Sequence, residues 1–241
     1  MEKISFLCPT RSRTQTDIGN FVDRLIETAR ETADYPDNVE FVFYIDDDDK
    51  QSEKYFKGLD DDNIVFVQGE RIVLSKMWNE CCKKSSGDIF FHCGDDIRFR
   101  TKGWDTIVRN KFDEFDDKIV FVYGSDGFQA QEGESGNKFG THGFIHRNWV
   151  ETTGYFVPPY FSSDKNDTWL NDVALKIGRH HWVDIYTEHL HPVVGKMIWD
   201  KTHMERLQRG AKDNVHAMYD KLEDERIRDA KLLEDFINGK K

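Results

Sequence analysis

Short runs of large apolar residues recur along the first half of the chain, separated by more polar stretches. Five of these runs are rich in Val, Ile, Phe and Tyr, and they occupy residues 4–8, 39–45, 63–68, 88–93 and 118–124. Each run is apolar on both faces of an extended chain. The pattern therefore predicts strands that are buried on both sides, as in a parallel sheet.

Helical periodicity fills the gaps between these strands. Residues 17–34 carry apolar side chains at three- and four-residue spacing, and similar patterns occupy about 74–86 and 103–115. Strands that alternate with helices predict an α/β fold with a doubly wound, mostly parallel sheet flanked by helices.

The pattern changes after residue 124. A glycine-rich polar stretch, read as either a mobile covering segment or a plain connection, leads to a short strand at 143–147. A helix over 166–178 and a strand over 180–186 follow, and the chain from about 200 to 238 is predicted to be helical. The apolar stripe of this tail would pack on the domain or on a partner subunit, which would make a homo-oligomer.

The composition excludes two broad classes of protein. The hydrophobic fraction of 38%, with 18 Phe, 6 Trp and 8 Tyr, excludes a disordered chain. A charged fraction of 33% and a mean hydropathy of −0.71 exclude a membrane protein. The sequence contains no run of about 18 apolar residues, the length needed to span a bilayer, and no secretory signal is visible. We expect a cytoplasmic protein with one large domain.

Charge and cysteine spacing narrow the chemistry further. The net charge of −11 opposes sequence-independent binding of nucleic acid over a broad surface, because neutralising phosphates requires an excess of Lys and Arg. A local basic groove is still compatible with this net charge. The cysteines do not form the C-x-x-C pairs of a zinc or redox site, so they are expected to be reduced thiols. They are Cys8, Cys81, Cys82 and Cys93.

Two adjacent carboxylates, Asp95 and Asp96, follow the fourth predicted strand. Ligands of such sheets bind at the carboxyl ends of the strands, where the connecting loops converge. Neighbouring like charges repel and are usually compensated by a cation, and oxygen ligands suit Mg²⁺ or Mn²⁺ with a bound diphosphate. The alternative is a solvated acidic turn with Arg98 and Arg100 as its surface partners.

The segment HLHP supplies two imidazoles, His189 and His191. A single histidine is most often a structural hydrogen-bonding residue, but one of these two could complete a metal site with the acid pair. His191 is the first choice because Pro192 stiffens its backbone.

Basic and acidic residues end the other predicted strands. Arg11, Arg13 and Arg71 could stabilise a departing diphosphate, or they could be ordinary surface arginines. In the run Asp46–Asp49, an acid at the strand end could accept hydrogen bonds from a nucleobase or a ribose.

A carboxylate near the predicted helix at 166–178 could act as a general base. The candidates are Asp164, Asp167 and Asp172. Asp172 is preferred because it lies beside Trp169, and an apolar surface raises the pKa of a carboxyl towards useful basicity. Helix capping is the alternative role for Asp164 and Asp167, and a plain surface charge is the alternative for Asp172.

The order of these features resembles that of the GT-A glycosyltransferases, especially family-2-like enzymes and the small versions carried by phages. ISFLCPTR resembles their first strand and nucleotide-contacting turn, FYIDD resembles the acid pair that holds the base, and SKMWNECCKKSSGDIFFHCGDD resembles the helix and strand that lead to the metal motif. The chain departs from the family at Cys93, where the first acid of that motif would stand. The P-loop, G-x-G-x-x-G, G-x-S-x-G and H-E-x-x-H motifs of other enzyme classes are absent.

The resemblance covers about residues 3–195 and implies a hexosyl- or pentosyltransferase that uses a nucleotide-diphosphate sugar, first of all a UDP-sugar, with Mn²⁺ or Mg²⁺. It implies a catalytic domain over 1–198, with a nucleotide-binding half over 1–124 and an acceptor half over 125–198. The predicted C-terminal helical extension over 199–241 lies outside the resemblance. The implied catalytic base is Asp172, and the implied metal ligands are Asp95, Asp96, His191 and His189. The implied nucleotide-binding residues are Pro9, Thr10, Arg11, Asp46, Asp47, Asn79 and Asp95, and Arg71 joins them as a predicted basic residue at a strand end.

Several alternatives stay open from the sequence. The acceptor could be a glycan, a protein, a small molecule or a modified DNA base, the last contacted through Arg98, Arg100 and Lys102. Transfer could invert or retain the anomeric configuration. A sugar nucleotidyltransferase is less favoured, because CPTRSR lacks the G-x-G-T-R turn of that class, and a non-catalytic module that binds a nucleotide sugar is the third interpretation.

Overall fold

The computed structural model describes residues 1–12, 18–129 and 139–239. Within these ranges eight strands form one sheet. The strands are β1 (Ile4–Pro9), β2 (Val39–Asp46), β3 (Ile64–Gly69), β4 (Ile89–His92), β5 (Ile97–Phe99), β6 (Phe121–Ser125), β7 (Gly143–His146) and β8 (His180–His189).

Helices flank the sheet and continue to the C-terminus. They are α1 (Ile18–Thr32), α2 (Lys50–Lys57), α3 (Leu74–Lys84), α4 (Trp104–Asp113), α5 (Arg147–Thr153), α6 (Asn166–Lys176), α7 (Lys201–Lys212), α8 (Val215–Lys221) and α9 (Glu223–Ile237). No helix in the described ranges combines the length and the apolar character needed to cross a bilayer.

The strand order is β3-β2-β1-β4-β7-β6-β8-β5, and the sheet is mixed. β3, β2, β1 and β4 are parallel, so their carboxyl ends share one edge. β7 runs antiparallel to both β4 and β6, β8 is parallel to β6, and β5 is antiparallel to β8. The parallel half agrees with the sequence prediction, whereas the half built around β7 departs from it.

Side chains alternate between the two faces of the sheet and form two apolar clusters. Phe6, Phe41 and Phe91 pack on one face with Trp104 of α4, and Phe6 lies 4.7 Å from Phe41 between ring centroids. On the other face, Leu7, Val42 and Phe90 pack with residues of α3, α6 and α9. Burial on both faces explains why these strands are apolar throughout.

Three short elements escaped the sequence analysis, namely α2, β5 and α5. α2 follows the acidic run because the side chain of Asp49 accepts a hydrogen bond from Ser52 N, which caps the helix. β5 has three residues and pairs with the end of β8. That pairing extends β8 to His189, three residues beyond the predicted end.

The C-terminal tail is three helices rather than one. Asn214 breaks it with a φ of 45°, and α9 packs against α5 and α6 through the buried residues Ala230 and Leu233. In addition, Asp229 of α9 accepts a hydrogen bond from Trp169 Nε1 at 3.0 Å. The tail is therefore part of the apolar core on this face of the sheet.

Candidate functional site

A cleft of about 940 Å³ lies over the carboxyl ends of β1, β2 and β4. Its wall also includes the end of β8, the N-terminus of α6 and one side of α7. Most of the residues predicted as site residues line it: Pro9, Thr10, Arg11, Asp46, Arg71, Asp95, Asp96, His189 and His191. Arg13 and residues 130–138 of the glycine-rich stretch lie outside the described residues, but Phe128, Gln129 and Phe139 from the two ends of that stretch line the cleft.

Hydrogen bonds fasten the turn after β1 to the neighbouring strands. Thr10 N donates to Tyr44 O at 2.9 Å, and Thr10 Oγ1 donates to Asp95 Oδ2 at 2.7 Å. The backbone N and the hydroxyl of Ser12 both donate to Asp49 at 2.7 Å. The turn is thus held against the ends of β2 and β4.

Asp46, at the end of β2, is buried between two arginines. Arg11 Nη1 lies 3.1 Å from Asp46 Oδ2, and Arg71 Nε lies 3.9 Å from the same oxygen. Burial raises the pKa of Asp46, and the charges of the two arginines partly offset the effect. Its Oδ1 atom is buried and has no hydrogen-bond partner among the described residues, so it is an acceptor that a ligand could use.

Asp95 and Asp96 are 5% and 9% exposed, so the acid pair is not a solvated turn. Arg98, 7% exposed, lies beneath the turn and donates from Nη1 to the carbonyl oxygens of Asp95 and Ile97 at 3.1 and 2.7 Å. Burial lowers the pKa of this guanidinium.

The placement of Arg98 corrects two sequence-based interpretations. It is not a surface partner of the acids, and it cannot form an exposed DNA contact with Arg100 and Lys102, because its guanidinium is buried under the turn. Arg100 is engaged by Glu188 at 2.7 Å.

His189 lies between two carboxylates. Its Nε2 atom is 3.6 Å from Asp96 Oδ2, and its Nδ1 atom is 3.8 Å from Asp126 Oδ2. Burial alone would lower the pKa of His189, but the two negative charges outweigh burial and raise it to about 9.

His191 differs from His189 in both its contacts and its charge. Its Nδ1 atom accepts a hydrogen bond from Val193 N at 3.2 Å, and its ring stacks on Phe128 with centroids 4.6 Å apart. Burial, together with the nearby charge of His189, lowers the pKa of His191 to about 4. The Nε2 atom is therefore the ring nitrogen suited to a metal ion.

A cluster that the sequence analysis missed lies beside this pair. One ligand atom from each of Asp126, His142 and His189 falls within 4.8 Å of the others, and all three residues are buried. Burial raises the pKa of Asp126, but the neighbouring imidazoles of His189 and His142 outweigh burial and lower the value to about 2. Burial is also the main reason why the pKa of His142 falls to about 3.

Sequence reasoning missed this cluster because it interpreted 124–143 as either a covering segment or a plain connection, without chemistry of its own. Asp126 follows β6 and His142 precedes β7, and these positions meet because the two strands are antiparallel. The available signal was an acid directly after one strand and a histidine directly before the next.

Asp167, in the first turn of α6, lines the same cleft as the acid pair. Burial raises its pKa to about 6, and the charge of Asp164 acts in the same direction. Hydrogen bonds from Thr168 to Asp167 Oδ1, at 2.7 Å from N and 3.2 Å from Oγ1, counteract part of the rise. Asp164 also lines the cleft, but it is paired with Arg206 at 2.6 Å.

Three predicted site residues are not among the described residues that line the cleft. Asp172 Oδ2 accepts from Arg226 Nε at 2.7 Å, and Lys176 Nζ lies 3.6 Å from its other oxygen. The amide of Asn79 donates to Val157 O and accepts from Phe156 N, both at 2.8 Å, so it joins α3 to a loop. Asp47 is exposed.

α7 brings basic side chains to the cleft. Arg206, Arg209 and Lys212 line it, and Glu205 of the same helix accepts a hydrogen bond from Arg71 Nη2 at 2.6 Å. The helix therefore connects to the end of β3 and forms a wall of the site, although it belongs to the predicted C-terminal extension.

Comparison with known proteins identifies the fold. No protein-family model and no curated protein matches the sequence. TarS 1–349 from S. aureus superposes on 77% of this chain with a TM-score of 0.55 and 15% sequence identity. The complex of TarS 1–349 with UDP superposes on 76% of this chain with a TM-score of 0.54 and 14% sequence identity. The mannosyltransferase PcManGT from Pyrobaculum calidifontis, in complex with GDP-Man and Mn²⁺, superposes with a TM-score of 0.58 and 13% sequence identity. The match covers 96% of this chain and 70% of the PcManGT chain.

The matched region spans 60% of the length of TarS 1–349. At sequence identities this low, the superpositions establish the fold alone. They confirm the α/β fold of GT-A type predicted from the sequence.

Proposed function

We propose that this protein is a glycosyltransferase that moves a sugar from a nucleotide-diphosphate sugar, in the first place a UDP-sugar, to an acceptor hydroxyl. The observation that carries the proposal is one cleft that combines the buried acids Asp46, Asp95 and Asp96 with Asp167, a carboxylate whose pKa is about 6. Two structures with this fold, TarS in complex with UDP and PcManGT in complex with GDP-Man and Mn²⁺, support the choice of donor.

In this proposal the nucleotide binds at the ends of β1 and β2. Asp46 Oδ1 accepts a hydrogen bond from the base or the ribose, which satisfies a buried oxygen. Arg11 and Arg71 hold Asp46 from two sides and place positive charge near the diphosphate. Thr10 orients Asp95.

The donor set beside this position suits Mn²⁺ or Mg²⁺. Asp95 and Asp96 supply oxygens, and His191 supplies the Nε2 atom, with His189 adjacent. Mn²⁺ fits a mixed set of oxygen and nitrogen ligands better than Mg²⁺ does. When bound, the ion would offset the negative charge that develops on the diphosphate. Burial raises the pKa of the thiol of Cys93, at the family-motif position, and a soft sulfur ligand suits neither Mn²⁺ nor Mg²⁺, so we do not assign Cys93 as a ligand.

We assign the role of general base to Asp167 and no longer to Asp172. Asp167 lines the cleft, and its raised pKa keeps it ionised at neutral pH while leaving it basic enough to accept a proton. Asp172 is instead occupied by Arg226. In the proposed step, Asp167 takes the proton of the acceptor hydroxyl as that oxygen attacks the anomeric carbon, the bond to the diphosphate breaks, and the configuration inverts.

A donor screen tests the function. Purified protein is incubated with UDP- and GDP-sugars and Mn²⁺, and nucleotide release is followed with and without pools of glycans, small molecules and hydroxymethylated DNA. The proposal expects slow release by hydrolysis and faster release with a true acceptor, whose mass increases by one sugar. Tight nucleotide binding without release under any condition would favour a binding module, and the absence of nucleotide binding would refute the proposal.

A further inference from the structure

We propose that Asp126, His142 and His189 form a second divalent-metal site, separate from the donor position at Asp95 and Asp96 and suited to a borderline ion such as Zn²⁺, Mn²⁺ or Co²⁺. The inference does not depend on the proposed transfer reaction. It rests on the way in which three strand ends bring two imidazoles and one carboxylate together inside the protein.

The geometry comes from the mixed half of the sheet. Asp126 directly follows β6, His142 directly precedes β7, and His189 ends β8, and these three strands are neighbours. His189 Nδ1 lies 3.8 Å from Asp126 Oδ2, and the rings of His142 and His189 are 4.7 Å apart at 82°. Ligand atoms that share a tetrahedral ion at about 2.1 Å lie about 3.4 Å apart, so small side-chain shifts would close the site.

Two buried ring nitrogens lack a hydrogen-bond partner among the described residues. His142 is 9% exposed and His189 is 8% exposed, and the Nδ1 atoms of both have no hydrogen-bond partner among the described residues. Buried ring nitrogens are ordinarily hydrogen-bonded or bound to a metal. A single ion between these two nitrogens would satisfy both.

The surroundings of His189 and Asp126 have the features that orient metal ligands. A metal-bound histidine usually donates its other ring N–H to a carboxylate, and His189 Nε2 lies 3.6 Å from Asp96 Oδ2. Asp126 Oδ1 accepts from Phe128 N at 2.8 Å, which fixes the carboxylate with Oδ2 towards His189. Asp96 then connects the second site to the donor position without being its ligand.

The ligand types determine which ions fit. Two imidazole nitrogens and one carboxylate oxygen favour Zn²⁺, Co²⁺ or Mn²⁺ over Mg²⁺ and Ca²⁺, which prefer oxygen ligands. His142 and His189 line the cleft, so the ion would keep an open coordination position there.

The test uses the full chain, treated with chelator and free of nucleotide. Equilibrium dialysis against Zn²⁺, Mn²⁺ or Mg²⁺, followed by metal analysis, is expected to give one Zn²⁺ or Mn²⁺ per chain and much weaker Mg²⁺ binding. His142→Ala should weaken Zn²⁺ binding by about 100-fold or more, since even loss of an outer partner costs about 10- to 100-fold. His181→Ala on β8 is the matched histidine control, and it should change Zn²⁺ binding less than about threefold.

A second measurement uses the unaltered protein, because a variant could lose metal binding simply by misfolding. Pulsed electron paramagnetic resonance of bound Mn²⁺ should detect coupling to nitrogen from two imidazoles. Stoichiometric binding that His142→Ala leaves unchanged, nitrogen-free spectra, or no binding at millimolar Zn²⁺ would each overturn the site. Because the assay contains no nucleotide, such a failure would leave the transferase proposal to be judged by its own donor screen.

Discussion

Replacing Asp167 by Asn tests the proposed chemistry most directly, because α6 carries its own control. Asp167 and Asp172 are five residues apart on one helix, yet Asp167 lines the cleft and Asp172 binds Arg226. Asn keeps an oxygen that can accept the hydrogen bonds from Thr168 but cannot act as a base. Loss of a general base costs about 10²- to 10⁴-fold in rate. The transfer rate of Asp167→Asn should fall by this factor while its affinity for UDP stays unchanged. Asp172→Asn should keep the transfer rate of the unaltered protein.

Stability should change in the opposite sense in the two variants. The pKa of Asp167 is raised from 3.8 to about 6, so the folded state favours its neutral form. The contribution of Asp167 to stability is therefore full at low pH and is lost as the pH rises through about 6. At pH 7 the ionised Asp167 lowers the free energy of unfolding by at most about 3 kcal/mol, because each unit of pKa shift is worth about 1.4 kcal/mol. Partial exposure of the side chain makes this value an upper limit. Asp167→Asn removes this cost, whereas Asp172→Asn weakens a charged hydrogen bond to buried Arg226 and should destabilise by about 1–3 kcal/mol.

The assays are initial rates of UDP release with acceptor, UDP titration calorimetry and urea unfolding at pH 5 and 7. With unaltered protein, kcat/KM should fall about tenfold from its plateau to pH 5, because only about a tenth of Asp167 stays ionised one unit below its pKa. A rate lost in Asp172→Asn and kept in Asp167→Asn would refute the assignment of the base.

Three further predictions concern the nucleotide end of the cleft and the core. Asp46→Asn should weaken UDP binding by about 10- to 100-fold in calorimetry, because a charged acceptor is lost, and equal affinity would remove Asp46 from the nucleotide site. Thr10→Val should destabilise by about 1–3 kcal/mol in urea unfolding, because buried Asp95 loses a donor at 2.7 Å, and Thr10→Ser serves as the control that restores it. Leu233→Ala should cost about 2–5 kcal/mol through a cavity under α9, whereas Leu232→Ala, on the exposed side, should cost far less; equal effects would contradict the packing of the tail.

The sequence predicted the parallel half of the fold well, because each strand and helix there is encoded locally. Apolar runs identified β1 to β4, and the polar residues directly after them had to share one edge of a parallel sheet. This pattern predicts Thr10, Asp46 and Asp95 at one edge of the sheet, and all three line the same cleft. The family resemblance also suggested a nucleotide contact for Asn79, but its amide joins α3 to a loop and it is not among the described residues that line the cleft.

What the sequence determined by itself is the class of the fold and the edge of the sheet where chemistry can occur, since periodicity and strand ends are local properties. Tertiary structure alone decided which acid of α6 enters the cleft, because five residues turn a helix by about 140° and place Asp167 and Asp172 on different faces. It also decided that Arg98 is buried, that α7 forms a wall of the site, and that Asp126 meets His142. These outcomes depend on the antiparallel pairing of β7 and on the packing of the tail, contacts between residues far apart in the chain that no local pattern encodes.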